Sequence, residues 1–245
     1  MSIENMRNKG FYNKSVVDLR EDFFNENNPS YSNINELFLN LISANTPRHG
    51  KILDVGTGNA FVLEQLINKN RQEYSEAYGI DNSKEMLEKA KERTRGLAVK
   101  LILADNFKIP FQDEYFDSVT AKNVTNFSES EVYRVLKKGG KFFFKEYGPG
   151  KGLEEIAKLF PGRLVRSRTP KFYTDSLRIA GFTNVQLKEF KIKNIYSYEK
   201  LVKVLNMFPF MDKIDKSDIE KIKKYFGNKE KTEITSHQII IVGGK

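Results

Sequence analysis

The chain has 245 residues, of which 39% are hydrophobic and 12% aromatic, so it can build a sizeable core and is neither disordered nor fibrous. Its 41 Lys and Arg against 32 Asp and Glu give a net charge of +9, which favours anionic partners without forming a basic nucleic-acid-binding tail. The absence of cysteine excludes a disulfide scaffold and a thiol nucleophile, and the presence of only two histidines argues against a metal centre.

Taken in chain order, the sequence predicts an α/β protein. Two helices are expected first, at residues 14–24 and 33–43, separated by a turn around Pro29. From residue 51 to about 190, short apolar runs alternate with amphipathic stretches, as in βαβ units around a parallel sheet. The predicted strands are 51–55, 76–80, 99–103, 116–121, 141–146 and 185–190, and the predicted helices are 61–68, 83–93, 129–136 and 172–180. Residues 191–231 look largely helical, with a break at Pro209, and a last strand follows at about 233–242.

A glycine turn follows the first of these strands, in ILDVGTGNA at residues 52–60. A strand, a tight turn and a helix in this order direct backbone N–H groups and a helix N-terminus at a ligand. Gly56 and Gly58 begin a dinucleotide-binding G-x-G-x-x-G pattern, but its last glycine is missing. Asp54 would repel a pyrophosphate and attract the cationic ammonium end of a ligand. A turn that is merely tight is the alternative.

Polar residues also follow the next two strands. Asp81, in YGIDNS, can accept hydrogen bonds from both hydroxyl groups of a ribose, or it only caps the following helix. Asp105, Asn106 and Phe107 place two acceptors beside an aromatic face, which suits an adenine. A solvated loop carboxylate is the alternative for Asp105.

Taken together, these segments resemble the class I S-adenosylmethionine-dependent methyltransferases, most closely the small-molecule enzymes. The resemblance rests on DVGTGNA at 54–60, YGID at 78–81, ADNFKIPFQDEYFDSV at 104–119 and VLKKGGKFFF at 135–144, and it spans about residues 45–190. Ala60 and Lys138 depart from the family pattern, where glycine and proline are common. The implied fold is a Rossmann-like seven-stranded sheet, mostly parallel with an antiparallel last strand, with helices on both faces and a helical lid.

The resemblance further implies one methyltransferase domain over 1–245. Its expected parts are an N-terminal helical cap (1–47), a cofactor-binding core (48–190), a helical lid insertion (191–231) and the last strand (232–245). The cofactor would be S-adenosylmethionine, with S-adenosylhomocysteine as the product.

The resemblance also implies roles for individual residues at the matching positions of this sequence. The residues expected to bind the cofactor are Asp54, Gly56, Gly58, Asn59, Asp81, Asn82, Asp105, Asn106, Phe107 and Asn123. The catalytic candidates are Asn123, which contacts cofactor or acceptor or only stabilises its loop, and Tyr147, which reaches a substrate proton. The substrate-binding candidates are Tyr12 of the cap and Met207 and Phe210 of the lid, and no metal is expected.

The predicted activity is in-line transfer of a methyl group to N, O or C of a small molecule or short peptide. An activated methyl sulfonium mainly needs an aligned acceptor and the exclusion of water. AKNVTNFSES after the fourth strand lacks the Asn/Asp-Pro-Pro-aromatic motif of nucleic-acid adenine N-methyltransferases, so a nucleic-acid partner is not favoured. An RNA methyltransferase and a non-catalytic S-adenosylmethionine-binding regulator stay open as alternatives.

The cellular setting is predicted from what the sequence lacks. The first residues contain no apolar signal segment, and no run of about 18 apolar residues occurs. We therefore expect a cytoplasmic protein with no membrane partner, as a monomer or a homodimer.

Overall fold

The computed structural model describes residues 29–68, 73–124, 126–161, 168–207 and 214–245. The helices are α1 (Pro29–Asn45), α2 (Phe61–Asn68), α3 (Lys84–Arg93), α4 (Glu129–Val135), α5 (Glu154–Leu159), α6 (Pro170–Ile179), α7 (Tyr198–Met207) and α8 (Lys216–Phe226). The strands are β1 (Lys51–Val55), β2 (Glu76–Asp81), β3 (Val99–Leu103), β4 (Phe116–Lys122), β5 (Leu136–Tyr147), β6 (Thr183–Ser197) and β7 (Lys231–Gly244). The helix predicted at 14–24 lies outside the described residues.

The seven strands form one sheet in the order β3-β2-β1-β4-β5-β7-β6. Strands β1 to β5 run parallel to one another, whereas β7 is antiparallel to both β5 and β6. The predicted seven-stranded sheet with an antiparallel last strand is therefore confirmed. The strand order reverses between β1 and β4, and ligands of open α/β sheets bind at the carboxyl ends of strands at such a switch point.

Side-chain alternation along the strands buries the two faces of the sheet under different helices. Phe142 and Phe144 pack with Val132 of α4 on one face. Phe143, which points the opposite way, packs with Phe38 of α1 and other residues of the second face. Helices on both faces are thus confirmed, and the sheet is a rigid base for the loops at its carboxyl edge.

Hydroxyl caps explain where several helices begin. Ser83 and Ser128 accept backbone N–H groups at the starts of α3 and α4. Thr169 does the same for α6, and Pro170 occupies its first turn. This cap is why α6 begins before the predicted residue 172.

The segment after residue 190 differs from the prediction of a largely helical insertion. Strand β6 continues to Ser197 and pairs with β7 from Lys191↔His237 through Ser197↔Lys231. In this extension Tyr196 is buried and Ile195 is exposed, which is strand alternation. The helical part of the region is α7 and α8, which pack together with Tyr196 in a separate apolar cluster.

No helix within the described ranges has the length and apolar character needed to cross a membrane.

Candidate active site

The glycine turn between β1 and α2 is held in a left-handed conformation. Gly56 has φ 63° and Gly58 has φ 56°, values that favour glycine. A Cβ on Gly56 would lie 2.5 Å from Cγ2 of Val124, so the turn also packs too tightly against the loop after β4 for a side chain. Ala60 adopts φ 58° as well, at a cost that glycine would avoid. The turn therefore closes directly over the switch point.

Asp54 is a buried carboxylate at the end of β1, below this turn. Its Oδ2 accepts a hydrogen bond from the Thr57 hydroxyl at 2.8 Å, and its Oδ1 accepts one from the Thr120 hydroxyl at 2.7 Å. Burial raises the pKa of Asp54 to about 6, although the two hydroxyls and the charge of Lys122 act in the opposite direction. Near neutral pH the site thus holds a desolvated negative charge, which a bound cation would stabilise.

Asp81 connects the glycine turn to the tip of β2. Its Oδ2 accepts the Gly58 N–H at 2.8 Å, and its Oδ1 accepts the Ser83 N–H at 3.0 Å. The N-cap of α3 is Ser83, whose hydroxyl accepts the Met86 N–H at 3.2 Å, so Ser83 and not Asp81 caps this helix. Asn82, which lies between Asp81 and Ser83, is exposed. Two backbone donors orient the Asp81 carboxylate, and a carboxylate has about four acceptor positions in all.

The three residues predicted to hold an adenine share one turn after β3. Asp105 is exposed, and its Oδ1 accepts the Phe107 N–H at 2.9 Å. Asn106 is buried, and its Oδ1 has no hydrogen-bond partner in the part of the chain that the structure describes. Phe107 is 41% exposed. A buried acceptor next to an aromatic residue in one turn matches the amino group and the ring of an adenine.

Further buried acceptors lie at the ends of β4 and β5. Asn123 has φ 58°, and its N–H donates to the Lys145 carbonyl at 2.7 Å. The acceptors that lack a partner among the described residues include Asn106 Oδ1, Asn123 Oδ1, Asn126 Oδ1 and Glu146 Oε2. A buried acceptor without a partner is costly, so this edge of the sheet is suited to a ligand that carries donors. These residues fit the ammonium, hydroxyl and amino groups of S-adenosylmethionine.

The other predicted residues are placed as follows. Asn59 is partly exposed in the glycine turn, and Tyr147 is buried at the end of β5. Tyr12 and Phe210 lie outside the described residues, and of Met207 only its position as the last residue of α7 is described. The structure therefore brings the residues predicted to bind the cofactor and the two catalytic candidates to one edge of the sheet.

Sequence reasoning missed several polar residues at this edge, namely Thr57, Thr120, Lys145 and Gln238. Thr120 becomes visible only through the register that sets it opposite Asp54, whereas Thr57 lies three residues after Asp54 in the glycine turn. For Lys145 a signal did exist, because a lysine inside the apolar strand FFFKEY breaks the pattern of a buried strand.

Comparisons with known proteins point to one family. A family model described as "Methyltransferase domain" matches residues 53–144. The ubiquinone/menaquinone biosynthesis C-methyltransferase UbiE of Desulfotalea psychrophila is 30% identical over 182 residues, which cover 62% of this chain and 73% of that protein.

Solved structures give the same fold. The YcgJ protein of Bacillus subtilis matches with a TM-score of 0.64 and 19% identity, covering 86% of this chain and 98% of that one. Phosphoethanolamine N-methyltransferase 2 of Haemonchus contortus, solved in complex with S-adenosyl-L-methionine, matches with a TM-score of 0.63 and 17% identity. That alignment covers 100% of this chain and 60% of the Haemonchus chain.

Proposed function

The chain belongs to the class I S-adenosylmethionine-dependent methyltransferases, and from this membership we propose that its glycine turn and sheet tips carry a methyl transfer to a small molecule. The observation that carries the proposal is the double anchoring of the glycine turn. Thr57 donates to the Asp54 carboxylate, and the next residue, Gly58, donates to the Asp81 carboxylate. One short turn thereby holds two carboxylates by hydrogen bonds, and this arrangement supports a site for a cationic nucleoside.

Each part of the cofactor has proposed partners on this edge. Asp54 with Gly56, Gly58 and Asn59 would hold the methionine part, and its buried charge would pair with the ammonium group. Asp81 and Asn82 would hold the ribose. Asp105, Asn106 and Phe107 would hold the adenine, where the partnerless Asn106 Oδ1 would accept from the amino group.

The acceptor is proposed to lie beside the ends of β4 and β5, facing α7 and α8. When bound, S-adenosylmethionine supplies a methyl carbon activated by a positively charged sulfur, so the chain must mainly align an acceptor and exclude water. Asn123 and Tyr147 are the proposed contacts at the strand ends, and Tyr12, Met207 and Phe210 complete the proposed pocket. The name of the Desulfotalea relative, a C-methyltransferase, supports carbon as the methylated atom.

Calorimetry with S-adenosylhomocysteine tests the proposal through Asp81→Asn. Losing a charge-assisted hydrogen bond of about 1.5–3 kcal/mol should weaken binding by about 10- to 150-fold. The matched control is Asp117→Asn at the opposite end of the sheet, because Asp117 also accepts a backbone N–H, that of Lys51 at 2.8 Å. The control should bind like the parent chain. Equal affinity for Asp81→Asn and the parent would reject the proposed site.

A further inference from the structure

Lys145 is a lysine inside the sheet rather than on the surface. Its residue is 1% exposed, and its Nζ donates to Gln238 Oε1 at 2.7 Å across the β5–β7 ladder. The Nζ also lies 5.5 Å from the centroid of the Tyr147 ring. Burying an amine is costly, and a well-packed apolar side chain would avoid the cost.

The register places Lys145 beside the proposed acceptor position. Lys122 lies opposite Lys145 on adjacent parallel strands, and Asp54 lies opposite Thr120 two residues before Lys122. These four side chains belong to one face of the sheet, since residues two apart on a strand share a face. Lys145 is therefore at the carboxyl edge, two strands from the proposed ammonium site. The residue after Lys122, Asn123, donates its N–H to the Lys145 carbonyl.

The charged groups around Lys145 favour its neutral form. Burial and the like charge of Lys122 lower the pKa of Lys145 well below its usual value. Of the charged groups in the part of the chain that the structure describes, Glu146, the next residue on the same strand, raises the pKa of Lys145, but this effect is the weaker one. Gln238, its contact on β7, has no charge. A neutral amine has a lone pair and can take up a proton.

Gln238 adds an unused donor next to this amine. The side chain is buried, and its Nε2 has no partner within the ranges that the structure describes, while its Oε1 is engaged by Lys145. An acceptor oxygen placed here would satisfy the amide N–H and lie next to the amine. The pair thus matches an oxygen that first gives up a proton and then keeps a negative charge.

We propose that Lys145 and Gln238 form the acceptor subsite and that the acceptor is a small molecule with an enolic or phenolic hydroxyl group, whose proton Lys145 removes. This inference rests on the proposed function and assigns its substrate class. An aliphatic alcohol is too weak an acid for an amine to ionise, and a carboxylic acid is already ionised at neutral pH. A phenol, with an ordinary pKa of about 10, lies between them. A cationic amine acceptor would be repelled by Lys122.

The step balances as follows. The hydroxyl proton moves to Nζ, which becomes an ammonium, and the electron pair of the O–H bond stays on the acceptor. That pair, acting through the oxygen or through a conjugated carbon, forms the new bond to the methyl carbon, and the pair of the broken C–S bond stays on sulfur. If carbon is methylated, the proton of that carbon returns to the oxygen. The ammonium then releases its proton to water, so one proton leaves for each methyl group transferred.

Lys145→Met is the main test variant, because methionine has a similar length and no charge. The matched control is Lys141→Met, since Lys141 lies on the same strand and face and its Nζ also donates to a side-chain amide, Asn45 Oδ1 at 2.6 Å. The probe is 4-nitrophenol, added to the chain saturated with S-adenosylhomocysteine at a pH below the pKa of the free phenol. Its absorbance reports whether the bound phenol is ionised.

The parent and Lys141→Met should bind the probe as the phenolate, whereas Lys145→Met should bind it about tenfold more weakly or as the neutral phenol. In ¹³C spectra of lysine-labelled protein, the signal lost in Lys145→Met should titrate well below the ordinary pKa of a lysine amine. Equal ionisation of the probe by Lys145→Met and the parent would overturn the assignment, as would no phenolate on the parent. Calorimetry with S-adenosylhomocysteine on the same samples separates this result from failure of the cofactor site, which would abolish binding in the parent itself.

Discussion

Replacing Asp54 by Asn should stabilise the free protein while it weakens cofactor binding. Burial raises the pKa of Asp54 from 3.8 to about 6, a difference of about two units in favour of the protonated form. At about 1.4 kcal/mol per unit, the buried charge costs about 3 kcal/mol of unfolding free energy. An asparagine keeps the size of the side chain, and its amide can accept from one of Thr57 and Thr120 and donate to the other.

The sign of the pH dependence follows from the raised pKa. The folded chain holds the proton more tightly than the unfolded chain, so the cost is absent well below pH 3.8, grows as the pH rises, and is complete above about pH 6. The variant should therefore be more stable than the parent by up to about 3 kcal/mol at pH 8, with a difference below about 1 kcal/mol at pH 4.

Urea unfolding at both pH values, together with calorimetry at pH 8, measures the two effects. Affinity for S-adenosylhomocysteine should fall by about 10- to 150-fold, as expected for a lost charge-assisted contact with the ammonium group. Asp117→Asn serves as the control, because Asp117 forms an ion pair with Lys137 at 2.8 Å. Removing the negative charge of this ion pair should not stabilise the chain. If Asp54→Asn unfolds more easily than the parent at pH 8, the threonine hydrogen bonds outweigh the desolvation cost and the argument is refuted.

Three further predictions concern the same edge of the sheet. Thr120→Val removes a hydrogen bond to the buried Asp54 carboxylate and should lower the unfolding free energy at pH 8 by about 1.5–3 kcal/mol, but much less at pH 4. Equal losses of unfolding free energy at both pH values would contradict the charge-based explanation. Gly56→Ala should lose far more stability in thermal melts than Gly139→Ala. A Cβ at Gly139 meets nothing within 4 Å, so Gly139→Ala adds only the left-handed backbone cost of about 1–2 kcal/mol. Similar losses for the two variants would refute the packing argument. Asn106→Ala should bind S-adenosylhomocysteine about tenfold more weakly than the parent chain. It should bind the inosine analogue, which lacks the amino group, as the parent does. Equal losses of affinity for both ligands would contradict a contact between Asn106 and the amino group.

The core elements of the fold could be predicted because they depend on local patterns. The strand 51–55 and the helix 61–68 have the predicted limits, since the apolar run and the glycine turn mark both ends. The extension of β6 to Ser197 was missed because it depends on pairing with β7, a partner about forty residues away along the chain. Strand register of this kind cannot be read from one strand alone.

The candidate site follows the same division between local and distant contacts. The residues predicted to bind the cofactor lie in consecutive loops, so a motif can single them out. The hydrogen bond between Thr120 and Asp54 joins residues 66 positions apart, and the one between Lys145 and Gln238 joins residues 93 apart. Only the sheet brings these partners together. The residues proposed to bind the acceptor are therefore those that local patterns describe least.

The sheet also divides the site by charge. On the face of the sheet that carries these four residues, Asp54 and Asp81 lie at the carboxyl ends of β1 and β2, whereas Lys122 and Lys145 lie on β4 and β5. The switch point therefore separates an acidic half of this face from a basic half. A cationic methyl donor and an anionic acceptor would be drawn to opposite halves, with the reacting atoms between them. Their reaction joins a cation and an anion into neutral products, so charge decreases on the way to the transition state. A dry site favours such a reaction, because it gives less stabilisation to the separated charges of the reactants than water does. Burial of both Asp54 and Lys145 is consistent with that requirement.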